Sequence, residues 1–365
     1  MRHAQAKLQC RCSRTGPTSL LPSLLLVACS AGNAINFWTK DAPLKQLSEV
    51  NAKLKFTCAH ETIPTSSAET DVLFQYARWL QKNNQLKQDK AVDLEIERLY
   101  RISAENHHYK ANVNLQNGSM RGHFNLSGSE HLRLSQQLID ANVASGYYFI
   151  AIFLRRGVAG LQQDQEISLR YYRKAADEGN PQAQAFLADK LEPIDIAPEI
   201  ARQMRRCAAT QSNGDAAVAL GFDLKTDRSY KDALQAFQNG VASGDEIAAS
   251  FLSKVFRGPK PDDRLYFMAQ EEDLQRAERY TLISKILGDW SYANPSVPEI
   301  NEIVPLPPAR LPTWDGKLKW IEERKANIPP PKPSEALIEL LAKAMVLDPK
   351  TGKPMPGSPV YSKED

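Results

Sequence analysis

The apolar positions that follow Gln165 recur at helical spacing in two short runs. The first run is Leu169, Tyr172, Ala175 and Ala176, then comes Gly179, and the second run is Ala183, Phe186, Leu187 and Leu191. Glycine costs little at the positive φ angle with which many helices end, and Asn180 is a good N-cap for the helix that follows. The pattern therefore predicts a helix, a tight turn and a second helix.

This pattern repeats along most of the chain. Similar turn marks fall at six places, spaced 30 to 44 residues apart: Asn106-His107, Gly146-Tyr147, Gly179-Asn180, Gly214-Asp215, Gly244-Asp245 and Gly288-Asp289. A helical pattern precedes each mark, and a shorter run of small and apolar residues follows the first five. Periods of this length are typical of solenoids built from stacked helical hairpins.

The stretch YYRKAADEGNPQAQAFLA resembles the Sel1-like repeat family, a relative of the tetratricopeptide repeats. The resemblance covers about six hairpins and implies an all-α fold, a right-handed α-solenoid with a C-terminal cap that contains Pro and Trp. Residues 68–289 are predicted to form this solenoid. Such solenoids mostly serve as binding surfaces, so the resemblance specifies the fold more closely than the function.

A leader precedes the repeats. Four basic residues and no acidic ones stand before residue 29, and the apolar run LLPSLLLVA ends directly before Cys29. This composition predicts a secretory signal over residues 1–28, too short to span a membrane. Leu26-Val27-Ala28-Cys29 resembles the bacterial lipobox, which implies lipidation of Cys29 and, with Ser30 after it, retention at the outer membrane facing the periplasm. The alternatives are an ordinary signal peptide with an incidental cysteine, or a misassigned start followed by a buried strand.

The charge balance does not favour nucleic acid as a partner. The formal net charge is +3, but without the leader 42 basic side chains stand against 43 acidic ones. A protein that binds the phosphate backbone needs a clear excess of positive charge.

Two cysteines remain after the leader and the lipidated residue. Cys58 and Cys207 are separated by about three repeats, and a solenoid brings only adjacent repeats together. An oxidising periplasm permits a disulfide. The repeat geometry nevertheless favours two buried structural thiols.

The two ends of the mature chain differ from the repeats. Residues 29–67 are predicted to form a lipid tether and an N-terminal cap. Residues 290–365 hold 14 of the 23 prolines together with three tryptophans and one helical stretch, SEALIELLAKAMVLD. Proline ends the solenoid, and the aromatic content predicts an ordered cap over the last repeat or along the solenoid.

A search for catalytic motifs gives no convincing site. The chain has no Gly-x-Ser-x-Gly elbow and no glycine-rich phosphate loop. His107 and His108 are predicted to form an exposed pair at the start of a repeat helix, without cysteine or carboxylate at ligand spacing, and His123 and His131 add no ligand set. The prediction is a protein that is not an enzyme, with no cofactor, no metal and no small-molecule substrate; the weak alternative is an active site near Trp314 and Asp315.

Aromatic and basic residues are the candidate contacts for a protein partner. Neighbouring tyrosines on a helix cannot both face the core, so one member of each Tyr pair is available for recognition. The segment Arg257 to Gln270 lengthens one repeat beyond what the fold needs. The predicted partner-binding residues are Tyr147, Arg155, Arg156, Tyr171, Arg264, Tyr266, Trp314 and Trp320.

The C-terminal stretch LPPARLPTWDG, followed by Trp320, resembles the tail of Sel1-like-repeat lipoproteins encoded beside type VI secretion phospholipase effectors. That resemblance implies a periplasmic immunity protein whose partner is a secreted phospholipase, of phospholipase D type, and whose lipid anchor binds the membrane. The alternative from the repeats alone is a general periplasmic scaffold or envelope-assembly adaptor.

Overall fold

The computed structural model describes residues 54–191 and 197–361. Within these ranges all regular secondary structure is helical apart from an isolated bridge between Leu347 and Pro354. The α-helices are α1 (Ala68–Asn84), α2 (Lys90–Glu105), α3 (Tyr109–Met120), α4 (Gly128–Asp140), α5 (Ser145–Arg156), α6 (Gln165–Asp177), α7 (Pro181–Leu191), α8 (Pro198–Thr210), α9 (Gly214–Thr226), α10 (Tyr230–Ala242), α11 (Glu246–Val255), α12 (Leu274–Asp289), α13 (Ile300–Ile303), α14 (Lys319–Ala326) and α15 (Glu335–Ala344), and a 3-10 helix spans Ser291–Ala293. No helix in the described part is long and apolar enough to cross a membrane.

Helices α2 to α11 form five consecutive hairpins, and each helix packs against its neighbours in the sequence. Helix α1 precedes the first hairpin, and α12 follows the last. Short polar side chains begin most of these helices by accepting a hydrogen bond from a backbone N–H of the first turn, as Ser67, Asp164 and Asn213 do. The predicted all-α solenoid of helical hairpins is confirmed.

Three of the six predicted turn marks lie in turns between helices. His107 has a φ of 64°, Gly179 of 102° and Gly244 of 88°, all in the left-handed region. Asn180 and Asp245 then accept hydrogen bonds from the backbone N–H groups of Ala183 and Ala248 and cap the next helix. At these marks the backbone argument from the sequence describes the turn correctly.

The interpretation of the other three glycines as turn residues is wrong. Gly146 lies inside α5 and Gly288 inside α12, while Gly214 is the first residue of α9 and Asn213 is its N-cap. A Cβ atom on Gly146 would lie 2.5 Å from the carbonyl oxygen of Ser135 in α4. Glycine is needed at position 146 because two helices approach closely, not because the chain turns there.

Three hydrophobic clusters follow one another along the described chain. The first joins α1 to α4 with α15, the second joins Phe56 with α4 to α8, and the third joins α9 to α12 with the segment up to Ile321. This division is what a quasi-one-dimensional array produces, since each hairpin buries its apolar face mainly against its neighbours.

The N-terminal segment contradicts the expectation for the cysteines. Residues 55–67 are not helical; they run in an irregular path across α5 to α8 and bring Cys58 within a Cα–Cα distance of 5.5 Å from Cys207. The two cysteines form a disulfide, so the prediction of two separate buried thiols is wrong. The argument from repeat spacing failed because Cys58 does not belong to a repeat.

The C-terminal region contacts both ends of the array. Leu318 and Ile321 pack in the third cluster beside α12, whereas Ile338, Ala342 and Leu347 pack in the first cluster beside α1 and α2. Ser334 caps the predicted helix, which is α15. The region therefore does more than cover the last repeat, because it connects the third cluster to the first.

Arg101 of α2 is central to this connection. Its side chain is 1% exposed and forms ion pairs of 2.7 Å with both Glu97 and Glu130. It also donates to the carbonyl oxygens of Asn125 and Thr351, the latter in the C-terminal segment. A buried guanidinium is tolerated here because its donors are met by two carboxylates and two carbonyls.

Candidate functional site

Helices α5 and α6 bring Tyr147 and Tyr171 together on the surface. Their ring centroids are 6.3 Å apart, and both side chains are half-buried. The ammonium group of Lys174 lies 5.7 Å from the centroid of the Tyr147 ring. Tyr172, the neighbour of Tyr171, is buried in the core, as expected of one member of each pair.

Arg155, at the end of α5, covers the aromatic residues of the next hairpin. Its guanidinium carbon lies 5.7 Å from the Tyr172 centroid and 5.1 Å from the Phe186 centroid, and these two rings stack 4.0 Å apart. The ammonium group of Lys190 lies 5.5 Å from the centroid of the same Phe186 ring. Burial raises the pKa of Tyr172 to about 12, so its phenol stays neutral beneath the arginine.

Arg155, Phe186 and Lys190 line an apolar groove of about 810 Å³, which we name the aromatic groove; Tyr147 and Tyr171 are not among its lining residues. It is lined by Leu54, Arg155, Gln165, Ser168, Leu169, Arg173, Asp177, Phe186, Leu187, Lys190, Leu191 and Met204. Leu169 is 44% exposed in it, which is high for a leucine near a hydrophobic core. An apolar floor with cations at its rim suits the binding of a protein surface that carries apolar and acidic side chains.

Arg156 is exposed beside Arg155. Sequence reasoning missed Phe186, Lys190 and Leu169 as groove residues. An amphipathic pattern identifies the core face of a helix. It does not show whether a neighbouring helix covers the side chains at the edge of that face or leaves them exposed.

The predicted contact residues of the Arg257 to Gln270 loop lie in a different cluster. Tyr266 is half-buried and packs 5.6 Å from the Phe251 ring, and Arg264 is exposed while its carbonyl oxygen accepts a hydrogen bond of 2.7 Å from Lys225. Met268 is fully buried. The loop is thus anchored to the third cluster, and the structure does not join it to the aromatic groove.

The two predicted tryptophans belong to the C-terminal packing. Trp314 donates a 2.7 Å hydrogen bond to the carbonyl of Lys317, and the guanidinium of Arg279 lies 5.8 Å from its centroid. Trp320 meets Trp290 edge-on at 5.9 Å. Both tryptophans are partly buried against the third cluster, which gives each a packing role.

The histidines singled out in the sequence have separate partners. His108 is buried, accepts the N–H of Ala111 as an N-cap and lies 3.3 Å from Asp71, so the description of His107 and His108 as an exposed pair is wrong for His108. His131 lies 3.2 Å from the Gln116 oxygen. With these contacts, His108 and His131 stabilise the helix packing.

One group of potential metal ligands lies in the described ranges. Ligand atoms of Cys58, His60 and Cys207 fall within 4.8 Å of one another. Both sulfurs are joined in the disulfide, however, and metal binding requires free thiolates. The arrangement stabilises the N-terminal segment in its place across α8.

Comparison with known proteins supplies a functional context. The Pseudomonas aeruginosa immunity protein Pa5087 is 26% identical, with a TM-score of 0.53 over 70% of this chain and 95% of that chain. The chain is similar to an immunity protein. The P. aeruginosa protein PA5086 is 27% identical, with a TM-score of 0.51 over 69% of this chain and 95% of that one.

A third structure, immunity protein PA5088 from P. aeruginosa, has the same fold at 24% identity, with a TM-score of 0.52 over 69% of this chain and 94% of that chain. Residues 248–355 match a family described as a domain of unknown function, DUF6396. No curated protein matches the sequence. The predicted resemblance to Sel1-like immunity proteins is therefore confirmed by the similarity to immunity protein Pa5087.

Proposed function

We propose that this protein is an immunity protein that binds and neutralises a cognate phospholipase effector of type VI secretion, of phospholipase D type. The observation that carries the proposal is the similarity to immunity protein Pa5087 across 70% of this chain. The choice of a phospholipase as the partner is supported by the tail LPPARLPTWDG, which resembles that of Sel1-like-repeat lipoproteins encoded beside phospholipase effectors. Neutralisation requires only binding, so no catalytic group is invoked.

The aromatic groove is the surface that we assign to effector binding. Arg155 lines it beside the Phe186 ring, and arginine contributes strongly to protein interfaces. Tyr147 and Tyr171 lie outside its lining, and their part in effector binding stays a prediction. The exposed Leu169 provides apolar surface that the partner would bury.

The proposed location is the periplasmic face of the outer membrane, with the lipid on Cys29. Cys29 lies outside the described residues, and the support for this location is the leader sequence alone. More than one acyl chain on one residue holds a protein stably on a membrane. Metabolic labelling with a palmitate analogue should mark the wild-type protein and not the Cys29→Ser variant; equal labelling of both would contradict the anchor.

The binding test uses the soluble mature protein with Cys29→Ser and the lipases encoded by neighbouring genes. We expect one of these lipases to be captured and its hydrolysis of phospholipid vesicles to be inhibited. In the same background, Arg155→Glu with Leu169→Ala should weaken binding by about tenfold or more, because it removes exposed apolar area from the groove and reverses a charge at its rim.

Lys285→Glu is the matched control, since Lys285 is an exposed cation on α12 outside the groove. It should leave lipase binding at the parental level. Capture of no lipase by the parental protein would refute the proposed function. If the groove variant binds the lipase as tightly as the parental protein does, the effector binds a different surface of the protein.

A further inference from the structure

A second cleft, between α1 and α3, is lined mainly by amide and cationic side chains. Its volume is about 330 Å³, and Tyr292 and Asn294, which follow α12, complete one wall. We name it the amide cleft and define it by two stripes of residues: Arg78, Gln81 and the C-cap Gln85 along α1, and Asn114, Asn117 and the C-cap Arg121 along α3. In both stripes the residues are spaced i, i+3 and i+7, which places them on one face of each helix.

Several polar groups in the amide cleft remain available to a ligand. Within residues 54–191 and 197–361, the side chains of Asn117, Arg121 and Asn294 have no hydrogen-bond partner. Gln81 uses only its oxygen, which accepts from the Tyr100 hydroxyl and from Arg78, both at 3.0 Å. Gln85 uses only its oxygen, which accepts from Arg324 at 3.1 Å. Among the described residues, the side-chain NH₂ groups of Gln81 and Gln85 make no hydrogen bond, so both can donate to a ligand.

Side-chain amides offer a donor and an acceptor together, which is also what each residue of an extended peptide backbone offers. Seven residues of helix span about 10 Å, the length of about three residues of extended chain. The amide stripes therefore match a short extended segment both in chemistry and in length.

The amide cleft adjoins a second hollow of about 430 Å³, with which it shares Arg78, Gln81, Gln85 and Asn294. This hollow is bordered by Trp320 and Arg324 of the C-terminal region. A longer chain can therefore continue from one space into the other. Two open spaces that share a wall suit a peptide better than an enclosed small molecule.

The charges around both spaces favour an acidic ligand. Arg78, Lys82, Arg121 and Arg324 supply four cations, against the carboxylate of Asp93, which already accepts from Asn84 at 2.8 Å. Burial, together with the positive charge of Arg324, lowers the pKa of Lys82. Asp or Glu side chains of a partner would pair with these cations and reduce the repulsion between them.

We propose that the amide cleft binds an extended acidic segment of a partner protein, with the side-chain amides of α1 and α3 paired to the backbone and Arg121 paired to a carboxylate of the segment. The inference rests on the proposed function for the identity of the partner, the effector. It adds a second contact surface to the aromatic groove, and it gives Trp320 a place beside the bound segment.

The test uses a defined probe, a fluorescein-labelled and C-terminally amidated peptide of alternating glycine with glutamate or aspartate, seven residues long, with binding followed by fluorescence anisotropy. We expect the soluble protein to bind it, and to bind neither the lysine counterpart nor a version with a methylated backbone, which lacks N–H donors. Asn117→Leu and Arg121→Ala should each weaken binding by about tenfold, the value of one well-placed hydrogen bond or more.

Gln235→Leu is the control, because Gln235 is an exposed amide on α10 outside the cleft. It should bind the acidic peptide as the parental protein does, and matching thermal melts should establish that all variants are folded. Failure of the parental protein to bind the acidic peptide, or equal binding by every variant, overturns the inference. Lipase inhibition without peptide binding would leave the proposed function standing, whereas peptide binding without any lipase inhibition would refute only the proposed function.

Discussion

At the scale of single residues, Glu61 connects the N-terminal segment to two hairpins. Its carboxylate accepts from the Ser145 backbone N–H at 2.5 Å, from the Ser145 hydroxyl at 3.1 Å and from the Asn180 amide at 3.3 Å. Burial nevertheless raises the pKa of Glu61 above 4.5, because desolvation outweighs these hydrogen bonds. The folded protein therefore binds a proton at Glu61 more tightly than the unfolded chain does.

This proton linkage predicts a pH effect on stability. The contribution of Glu61 is fully present below about pH 4.5 and is lost as the pH rises through the raised pKa of the folded state. Glu61→Gln cannot titrate, so its free energy of unfolding should increase relative to that of the wild type between pH 4 and neutral pH. Urea denaturation at several pH values measures this difference, and parallel pH profiles for the two proteins would contradict it.

At the scale of elements, Gly146 allows α4 and α5 to pack closely. A Cβ atom there would approach the Ser135 carbonyl oxygen and, at 2.9 Å, the Ile139 backbone nitrogen, neither of which can rotate away. We expect Gly146→Ala to lower the free energy of unfolding by about 1–3 kcal/mol, as overpacked sites do. Chemical denaturation measures the loss.

Gly122→Ala provides the comparison for that substitution. Gly122 also has no side chain, but a Cβ atom would meet nothing within 4 Å, and the cost comes only from its φ of 78°. That backbone cost is about 1–2 kcal/mol. If Gly146→Ala left stability unchanged, the helices would not be in the contact that the structure shows.

The segment from residue 55 to 67 is an element without helix or strand, and tertiary contacts hold it. Gln184 and Gln211 donate to the carbonyl of Ala59, and Arg173 donates to that of Lys55. The Cys58–Cys207 disulfide adds a covalent link across 149 residues of sequence. A link across such a long loop removes many conformations from the unfolded chain.

Loss of the disulfide is therefore expected to destabilise the protein. In the Cys29→Ser background, Cys58→Ser should lower the free energy of unfolding by about 2–5 kcal/mol. Denaturation with and without a reducing agent measures this. The reductant should destabilise the parental protein and leave the Cys58→Ser variant unchanged; a parental protein that does not respond would argue against the disulfide.

At the scale of the whole described unit, the C-terminal region links regions that are distant in sequence. Arg98 donates to the Pro349 carbonyl and to Glu335, and Asn106 donates to the Leu341 carbonyl. Trp79 of α1 donates to the Asn327 carbonyl. A linear array leaves its first helices uncovered on one side, and here the chain itself covers them.

Deleting residues 333–365 should loosen the first cluster. Two large buried apolar side chains, Ile338 and Leu347, leave it, each worth about 1.5–3 kcal/mol, so amide exchange in Lys90–Glu105 should accelerate by at least about tenfold. Hydrogen-exchange mass spectrometry measures this. Helix α10 serves as the internal control because it belongs to the third cluster, and unchanged exchange in α2 would show that the tail contributes no stability there.

The sequence by itself determined the helices and their order as hairpins. Helical periodicity, short polar caps such as Ser67 and Ser334, and the proline-rich end of the repeats are local properties, and local properties can be read without knowing the fold. Helical periodicity also indicated which helix faces carry Tyr147, Tyr171 and Arg155. Their role in binding stays a prediction.

Only the tertiary structure decided which distant residues meet. It placed Cys58 beside Cys207, buried Arg101 beneath Thr351, moved Gly146 from a turn into a helix contact, and separated the Arg264 loop from the aromatic groove. Each outcome depends on the path of an irregular segment or on how closely two helices approach. Residue spacing does not encode these distances, because irregular segments carry no periodicity and the separation of two packed helices depends on the side chains of both.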